Sequence, residues 1–190
     1  MGRPRYAHVV IYRPRTSIGR VAEPTPVPSG VDYDLWSGPA PLAPIRRKYL
    51  HYEWHWFWTW GNGEIGNLGA HQLDIARWAM PVDAAPQSVL SLGGRFGYED
   101  QGQTPNSQLT FVDFGDVKLI FEERGLSTRK TTKVTVEFHT DRGVIKEGKF
   151  FPAGSDAGEP IPDAPPSGFA ELGRPHFRNF IDCVRSRRRE

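Results

Sequence analysis

The stretch that most constrains this 190-residue sequence runs from Trp54 to Trp78 and reads W-H-W-F-W-T-W-G-N-G-E-I-G-N-L-G-A-H-Q-L-D-I-A-R-W. Its first part is aromatic, and its middle carries four glycines within nine residues. Such a cluster is typical of a tight turn, because glycine tolerates positive φ and close backbone approach. Apolar residues then return at helical spacing and Pro81 follows, which predicts a helix over residues 67–79. His71 lies in the first turns of this helix, beside the glycine-rich loop. We expect the chemical reaction of the protein to take place there.

The remainder of the chain predicts a β-sheet. Runs of β-branched, aromatic and alternating apolar residues predict strands at 6–12, 87–96, 107–114, 117–124, 130–140 and 143–149. Short turns, such as F-G-D at 114–116 and H-T-D-R-G at 139–143, favour antiparallel pairing. The prediction is an α+β fold: an open, mainly antiparallel β-sheet with helices on one face, forming a single domain over residues 1–190.

Three segments are predicted to lie outside this sheet. Residues 33–60 are rich in proline and contain five of the six tryptophans, which indicates irregular chain of the kind used in binding loops. Within it, Trp54, Trp56, Trp58 and Trp60 alternate as in an extended strand with one aromatic face. Residues 152–175 read as a loop, and apolar residues at helical spacing from Phe177 onward predict a last helix that reaches residue 190.

Composition excludes several classes of partner. The formal net charge is +2, from 24 basic and 22 acidic residues, so no strong field favours nucleic acid or a membrane surface. The single cysteine, Cys183, rules out a disulfide within the chain. No apolar run reaches the roughly 18 residues of a membrane span, and the first residues do not form a signal peptide. We therefore expect a cytoplasmic protein, with export by an upstream signal left open.

Several motifs together resemble the C-terminal domain of the Gfo/Idh/MocA oxidoreductases. G-N-G-E-I-G-N-L-G-A-H-Q-L-D-I-A-R-W is similar to the signature G-G-x-x-x-D-x-G-x-H-x-x-D of that domain. Agreement extends to Y-D-L-W-S-G-P-A-P at 33–41, H-Y-E-W-H-W-F-W at 51–58, G-G-R-F-G-Y-E-D at 93–100 and H-F-R-N-F-I-D-C-V-R-S-R at 176–187. The resemblance covers nearly the whole chain. It implies an open-sheet domain used for substrate binding and for subunit contacts, and hence a homo-oligomer formed through the sheet.

The resemblance also implies a part that this sequence lacks. Members of the family bind NAD or NADP with an N-terminal Rossmann domain, whose fingerprint is a G-x-G-x-x-G turn after a strand. Here the letters G-N-G-E-I-G at 61–66 follow a tryptophan-rich run instead, and the Glu-Lys-Pro motif of the family does not occur. We expect a fragment of a longer or split protein, inactive alone, whose NAD or NADP is bound mainly by a domain outside this chain, in cis or in trans. The resemblance does not identify cofactor-binding residues within the chain.

Two residues are predicted to be catalytic. The resemblance implies that His71 exchanges a proton with the substrate hydroxyl, and imidazole suits this role because it titrates near neutral pH. The alternative is a histidine that only packs at a helix start. Asn67 stands where many members of the family have aspartate, four residues before the histidine, and asparagine can bind a hydroxyl but cannot act as a base.

Five further residues are candidate substrate contacts, and four of them have a structural alternative. They are Tyr12, Arg13, Trp54, His55 and Asp74. The alternatives are an exposed basic edge for the first two, aromatic packing for Trp54 and a helix salt bridge for Asp74. No metal site is expected, because the histidines at 51, 55, 71 and 176 lack the spacing and the additional ligands of a metal centre.

The leading hypothesis is the substrate-binding and catalytic half of an NAD(P)-dependent oxidoreductase acting on a sugar, sugar acid or cyclitol. One alternative is an NAD-dependent redox glycosidase of the same family, which the glycine-rich segment also resembles. The other is a non-enzymatic domain used for oligomerisation or carbohydrate binding.

Overall fold

One sheet organises the fold. The computed structural model describes residues 1–126, 132–162 and 169–188, with only the backbone described at 169–172. The strands are β1 (Pro4–Tyr12), β2 (Ser88–Gly94), β3 (Ser107–Asp113), β4 (Lys118–Arg124), β5 (Lys133–Thr140), β6 (Gly143–Lys146), β7 (Lys149–Pro152) and β8 (Glu159–Pro160). The helices are α1 (Tyr33–Ser37), α2 (Leu68–Ala79) and α3 (Phe169–Ser186), together with two 3₁₀ turns at Glu53–Trp56 and Gly63–Ile65.

The strand order places the first strand inside the sheet. The order is β2-β3-β4-β1-β5-β6-β7-β8. The β1–β4 pair is parallel, whereas the other six pairs are antiparallel. The predicted α+β class with an open, mainly antiparallel sheet is therefore confirmed. Because β1 and β4 are parallel, their carboxyl ends meet at the same edge, and the chain leaves that edge from Tyr12 and from Arg124.

The core lies between the sheet and α2. Alternate residues of β1 and β4 face the helix, because successive side chains of a strand point to opposite faces. The buried cluster comprises Ala7, Val9, Ile11, Ala76, Met80, Val117, Leu119 and Phe121. Burial of this apolar surface, at about 25 cal/mol per Å², holds α2 on the sheet. The start of α2 comes closest at Gly69, where a Cβ atom would lie 3.1 Å from the Phe121 ring.

The opposite face of the sheet is apolar and uncovered near β2 and β3. Leu90 pairs with Phe111 and Leu92 pairs with Leu109. All four side chains are exposed. Phe111 and Leu109 flank Thr110, which is buried opposite Phe121 on the helix side, so the apolar four lie on the face away from α2. We refer to Leu90, Leu92, Leu109 and Phe111 as the open-face patch.

The tryptophan-rich segment differs from the prediction. The alternation of Trp54, Trp56, Trp58 and Trp60 does not come from an extended strand, since Glu53–Trp56 is a 3₁₀ turn. Tyr52 precedes that turn with φ at +69°, and turn hydrogen bonds continue from Trp60 and Gly61 back to Phe57. The prediction of an aromatic strand face was wrong because short-range turns, not a β ladder, satisfy the backbone here. The remainder of 33–60 is irregular as predicted, apart from α1.

The C-terminal part also differs from the prediction in two places. The predicted strand at 143–149 is two strands, because Glu147 and Gly148 both have positive φ and form a tight turn between β6 and β7. The predicted loop at 152–175 was too long: α3 begins at Phe169 and contains Pro175. Residues 163–168 of that predicted loop, and the predicted end of the last helix at 189–190, lie outside the described residues.

The last helix ends earlier than predicted. It stops at Ser186, where Arg187 adopts φ of +58° and donates its N–H to the Cys183 carbonyl at 2.8 Å. That conformation ends a helix in the way that a C-terminal glycine does. None of the helices in the described ranges is long and apolar enough to cross a membrane.

Candidate functional site

The glycine-rich loop places Asn67 and His71 at the start of α2. Asn67 is the residue that precedes the helix, and its side chain does not cap the helix end. Its Nδ2 instead donates to Oε1 of Glu64 at 3.3 Å. His71 is exposed, and its ring has no hydrogen-bond or ring partner among the described residues. Because the two residues are four apart, they lie on the same side of the helix start.

Glu64 is the centre of a buried charge cluster. Its side chain is 1% exposed, and Arg15 binds both carboxylate oxygens at 2.8 Å. Arg15 also donates to the Tyr52 hydroxyl, and its backbone N–H donates to the Gly125 carbonyl at 2.7 Å. The loop that leaves β1 is thereby tied both to the end of β4 and to the turn that precedes α2. A bidentate arginine–carboxylate pair fixes geometry as well as charge.

A second carboxyl group lies beneath this cluster. Glu123, on the helix-facing side of β4, is 2% exposed, and its Oε2 has no hydrogen-bond partner among the described residues. Burial, with the negative charge of Glu64 as a further cause, raises the pKa of Glu123 from 4.5 to about 8, against the opposing charges of Arg15 and Arg95. The carboxyl group is therefore predominantly protonated at neutral pH.

Arg95 forms the other ion pair of this region. Its guanidinium binds both oxygens of Asp100 at 2.6 and 2.7 Å. Burial opposes ionisation of Asp100, but the Arg95 hydrogen bond and the backbone N–H groups of Ile18 and Gly102 outweigh it and lower the pKa of Asp100 to about 2. The Trp56 ring lies 5.7 Å from the guanidinium of Arg15 and 5.9 Å from that of Arg95.

Sequence reasoning missed these ion pairs. Arg15 and Glu64 are 49 residues apart, and neither stands in a local pattern that pairs it with the other. The available signal was the motif G-G-R-F-G-Y-E-D, which contains Arg95 and Asp100 but was assigned no role. The pairing of Arg15 with Glu64 depends on the packing of α2 against the sheet, which brings the turn before α2 to the end of β1.

The five expected substrate contacts lie in different parts of the structure. Tyr12 lies at the end of β1 with the Arg124 guanidinium 4.7 Å from its ring, and Arg13 is exposed beside it. Asp74 is exposed on α2. His55 stacks on Trp54 with ring centroids 3.9 Å apart, and its Nδ1 faces the Tyr52 carbonyl. None of the five forms a hydrogen bond or ring contact with His71 in the described part of the chain.

Trp54 belongs to the wall of a cavity. This cavity, of about 580 Å³, is lined by Trp36, Ser37, Pro39, Ala40, Trp54, Thr59 and Trp60. Trp36 and Trp60 meet edge to face at 5.8 Å. Neither Asn67 nor His71 is among the lining residues. Within the described ranges, no group of three His, Cys, Asp or Glu side chains is arranged to hold a metal ion.

Comparisons with known proteins give the family. Residues 16–113 match the Gfo/Idh/MocA model described as the oxidoreductase family, C-terminal alpha/beta domain. No curated protein sequence matches the chain significantly. Because the family match covers more than half of the sequence, the chain belongs to the Gfo/Idh/MocA oxidoreductase family as its C-terminal domain.

Solved structures share the fold at low identity. The WlbA dehydrogenase from Bordetella pertussis, in complex with NADH and UDP-GlcNAcA, is 16% identical with a TM-score of 0.57, over 99% of this chain and 47% of that one. A levoglucosan dehydrogenase in complex with NADH is 14% identical with a TM-score of 0.58, over 97% and 50% of the two chains. GenD2 from gentamicin A biosynthesis, in complex with NAD, is 15% identical with a TM-score of 0.56, over 100% and 48%. The chain spans about half the length of these structures.

The buried carboxyl group predicts a pH-dependent stability. Glu123 has a higher pKa in the folded state than in the unfolded state. Its contribution to the free energy of unfolding is therefore fully present below about pH 4.5 and is lost as pH rises through about 8. Glu123→Gln should remove that loss and be more stable than the parent at pH 8, with an upper bound on the order of a few kcal/mol. Urea unfolding at pH 5, 6.5 and 8 measures this.

Glu99→Gln provides the control, because Glu99 is exposed. It should keep the pH dependence of the parent. If the free energy of unfolding changes equally with pH in both variants, Glu123 is not the group that causes the pH dependence.

Proposed function

We propose that this member of the Gfo/Idh/MocA family is the substrate-binding and catalytic half of an NAD(P)-dependent oxidoreductase that acts on a sugar, sugar acid or cyclitol. The observation that carries the proposal is the exposed, unpartnered ring of His71 at the start of α2, one turn from Asn67. Family membership supports the reaction class. Further support comes from three enzymes of similar fold, each solved with NADH or NAD.

The chemistry assigned to this chain is proton transfer. The ring nitrogen of His71 accepts the proton of a substrate hydroxyl. A nicotinamide held by the domain outside this chain would supply the acceptor for the hydride from the same carbon, so that the products would be a carbonyl, a protonated imidazole and a reduced nicotinamide. An exposed imidazole suits this exchange, since solvent can restore its protonation state between turnovers.

The other proposed contacts surround this proton transfer. Asn67 binds a substrate hydroxyl, and Asp74 lies three residues beyond His71 on the same helix. Tyr12 and Arg13, at the end of β1, and the stacked pair of Trp54 and His55 are proposed to contact more distant parts of the substrate. NAD or NADP is bound mainly by a nucleotide-binding domain outside this chain, in cis or in trans.

Asn67 favours a second candidate reaction within the same family. Asparagine cannot take up a proton at neutral pH, so a dehydrogenase that relies on aspartate beside the histidine is not reproduced here. A redox glycosidase needs only a transient oxidation, after which the leaving group is eliminated and the hydride is returned. Release of an aryl aglycone with catalytic NAD and no net NADH identifies that reaction, whereas net NADH formation identifies the dehydrogenase.

A homo-oligomer through the sheet is also proposed, supported by the open-face patch. Its four apolar side chains form two cross-strand pairs on an uncovered face. Exposed apolar patches of this kind commonly mark protein interfaces.

Leu92→Glu tests the oligomer. A carboxylate at the centre of an apolar interface costs several kcal/mol on burial, so the variant should sediment as a monomer where the parent sediments as a dimer or larger oligomer. Analytical ultracentrifugation measures this. Leu42→Glu is the matched control, since Leu42 is equally exposed but lies outside the sheet. A monomeric parent, or an oligomeric Leu92→Glu variant, would contradict the proposal.

His71→Asn tests the catalytic assignment in the complete enzyme, comprising this chain and its nucleotide-binding domain. Asparagine keeps a polar side chain but cannot take up the proton, so kcat should fall by about 100- to 10,000-fold. Substrate binding, measured by calorimetry, should change little. His51→Asn replaces another exposed histidine outside α2 and should retain full activity.

The opposite result is equally informative. Full activity in the His71→Asn variant would exclude His71 as the acid/base. Sugar binding by the parent without any nicotinamide-dependent turnover would favour the non-enzymatic carbohydrate-binding alternative.

A further inference from the structure

Glu64 contacts the candidate active site through a hydrogen bond from Asn67. Its Oε1 accepts both from Arg15 Nη2 at 2.8 Å and from Asn67 Nδ2 at 3.3 Å, and its Oε2 accepts from Arg15 Nε at 2.8 Å. The carboxylate is 1% exposed, so water does not compete for these bonds. Resting on the function proposed above, we propose that Glu64 is a positioning residue that fixes the orientation of the Asn67 amide and thereby makes Asn67 a hydrogen-bond acceptor for a substrate hydroxyl.

The orientation follows from the donors and acceptors involved. Both carboxylate oxygens of Glu64 accept hydrogen bonds from Arg15, and a carboxylate oxygen cannot donate one to the Asn67 amide. The amide group of Asn67 must therefore turn its NH₂ toward Glu64. Its carbonyl oxygen, Oδ1, is directed away from the carboxylate and accepts from a donor such as a sugar hydroxyl.

The same contact accounts for asparagine at this position. An aspartate at 67 would place a second carboxylate against Glu64, without the N–H donor that Asn67 supplies to Oε1. The surroundings offer little relief, because Arg15 already binds both carboxylate oxygens of Glu64. Glu64 therefore restricts Asn67 to hydrogen bonding with the substrate. Of Asn67 and His71, His71 is then the residue that transfers the proton.

A double-mutant cycle in the 190-residue chain tests the contact directly. Asn67→Asp should destabilise the parent, whereas in the Glu64→Gln background the same change should cost less, because the exchanged pair again joins an amide to a carboxylate. The two effects on the folding equilibrium constant should differ by about 2- to 100-fold, the range for residues in direct contact. Urea unfolding of the four proteins gives this factor, and additive effects would overturn the proposal.

The side-chain amide of Asn67 provides a measurement that needs no variant to fold. Its NH₂ protons should exchange with solvent more slowly in NMR spectra than those of Asn62, which is exposed in the same loop. Equal exchange rates would overturn the orientation proposed here.

Kinetics of the complete enzyme separate positioning from a purely structural role. Glu64→Gln should raise KM by about 10-fold, in line with loss of a single oriented hydrogen bond, while kcat changes much less. A substrate analogue that lacks the contacted hydroxyl should be insensitive to Glu64→Gln. An equal loss for substrate and analogue would overturn the positioning role, whereas a failure of the oxidoreductase assignment would instead appear as inactivity of the parent with the stability coupling intact.

Discussion

A buried ion pair between Arg15 and Glu64 joins the loop after β1 to the turn before α2 through two hydrogen bonds of 2.8 Å. Breaking a buried pair by removing one partner leaves an uncompensated charge, and such pairs are best attested as devices that fix geometry. Here the geometry is that of the candidate active site, since Glu64 also contacts Asn67 and its charge helps to keep Glu123 protonated.

The sheet explains why this pair can form. Parallel pairing of β1 with β4 brings the ends of both strands to one edge, where Arg15 reaches the Gly125 carbonyl. Gly69 lets the start of α2 approach Phe121 closely. The helix therefore begins beside the buried charges, where Asn67 donates to Glu64. Core packing and site geometry thus meet in the first turn of α2.

Much of this could be predicted from sequence, and the failures have physical reasons. The glycine cluster and Pro81 predicted α2 to within one residue, and alternating apolar residues predicted β1 to β4 closely, because both signals are local. The alternating tryptophans gave a wrong prediction of an extended strand, because a 3₁₀ turn can satisfy the backbone hydrogen bonds there as well as a strand can. The role of Glu64 was invisible because its partner Arg15 is distant in sequence, and the packing of α2 against the sheet brings the two together.

If this chain supplies only the proton-transfer side of an active site whose nicotinamide is bound by another domain, the chain alone should not bind NADH. Calorimetric titration of the purified, folded 190-residue chain with NADH measures this. The expected result is no binding by the chain alone and binding once the nucleotide-binding domain is supplied. Micromolar binding of NADH by the chain alone would show that the nicotinamide is bound here.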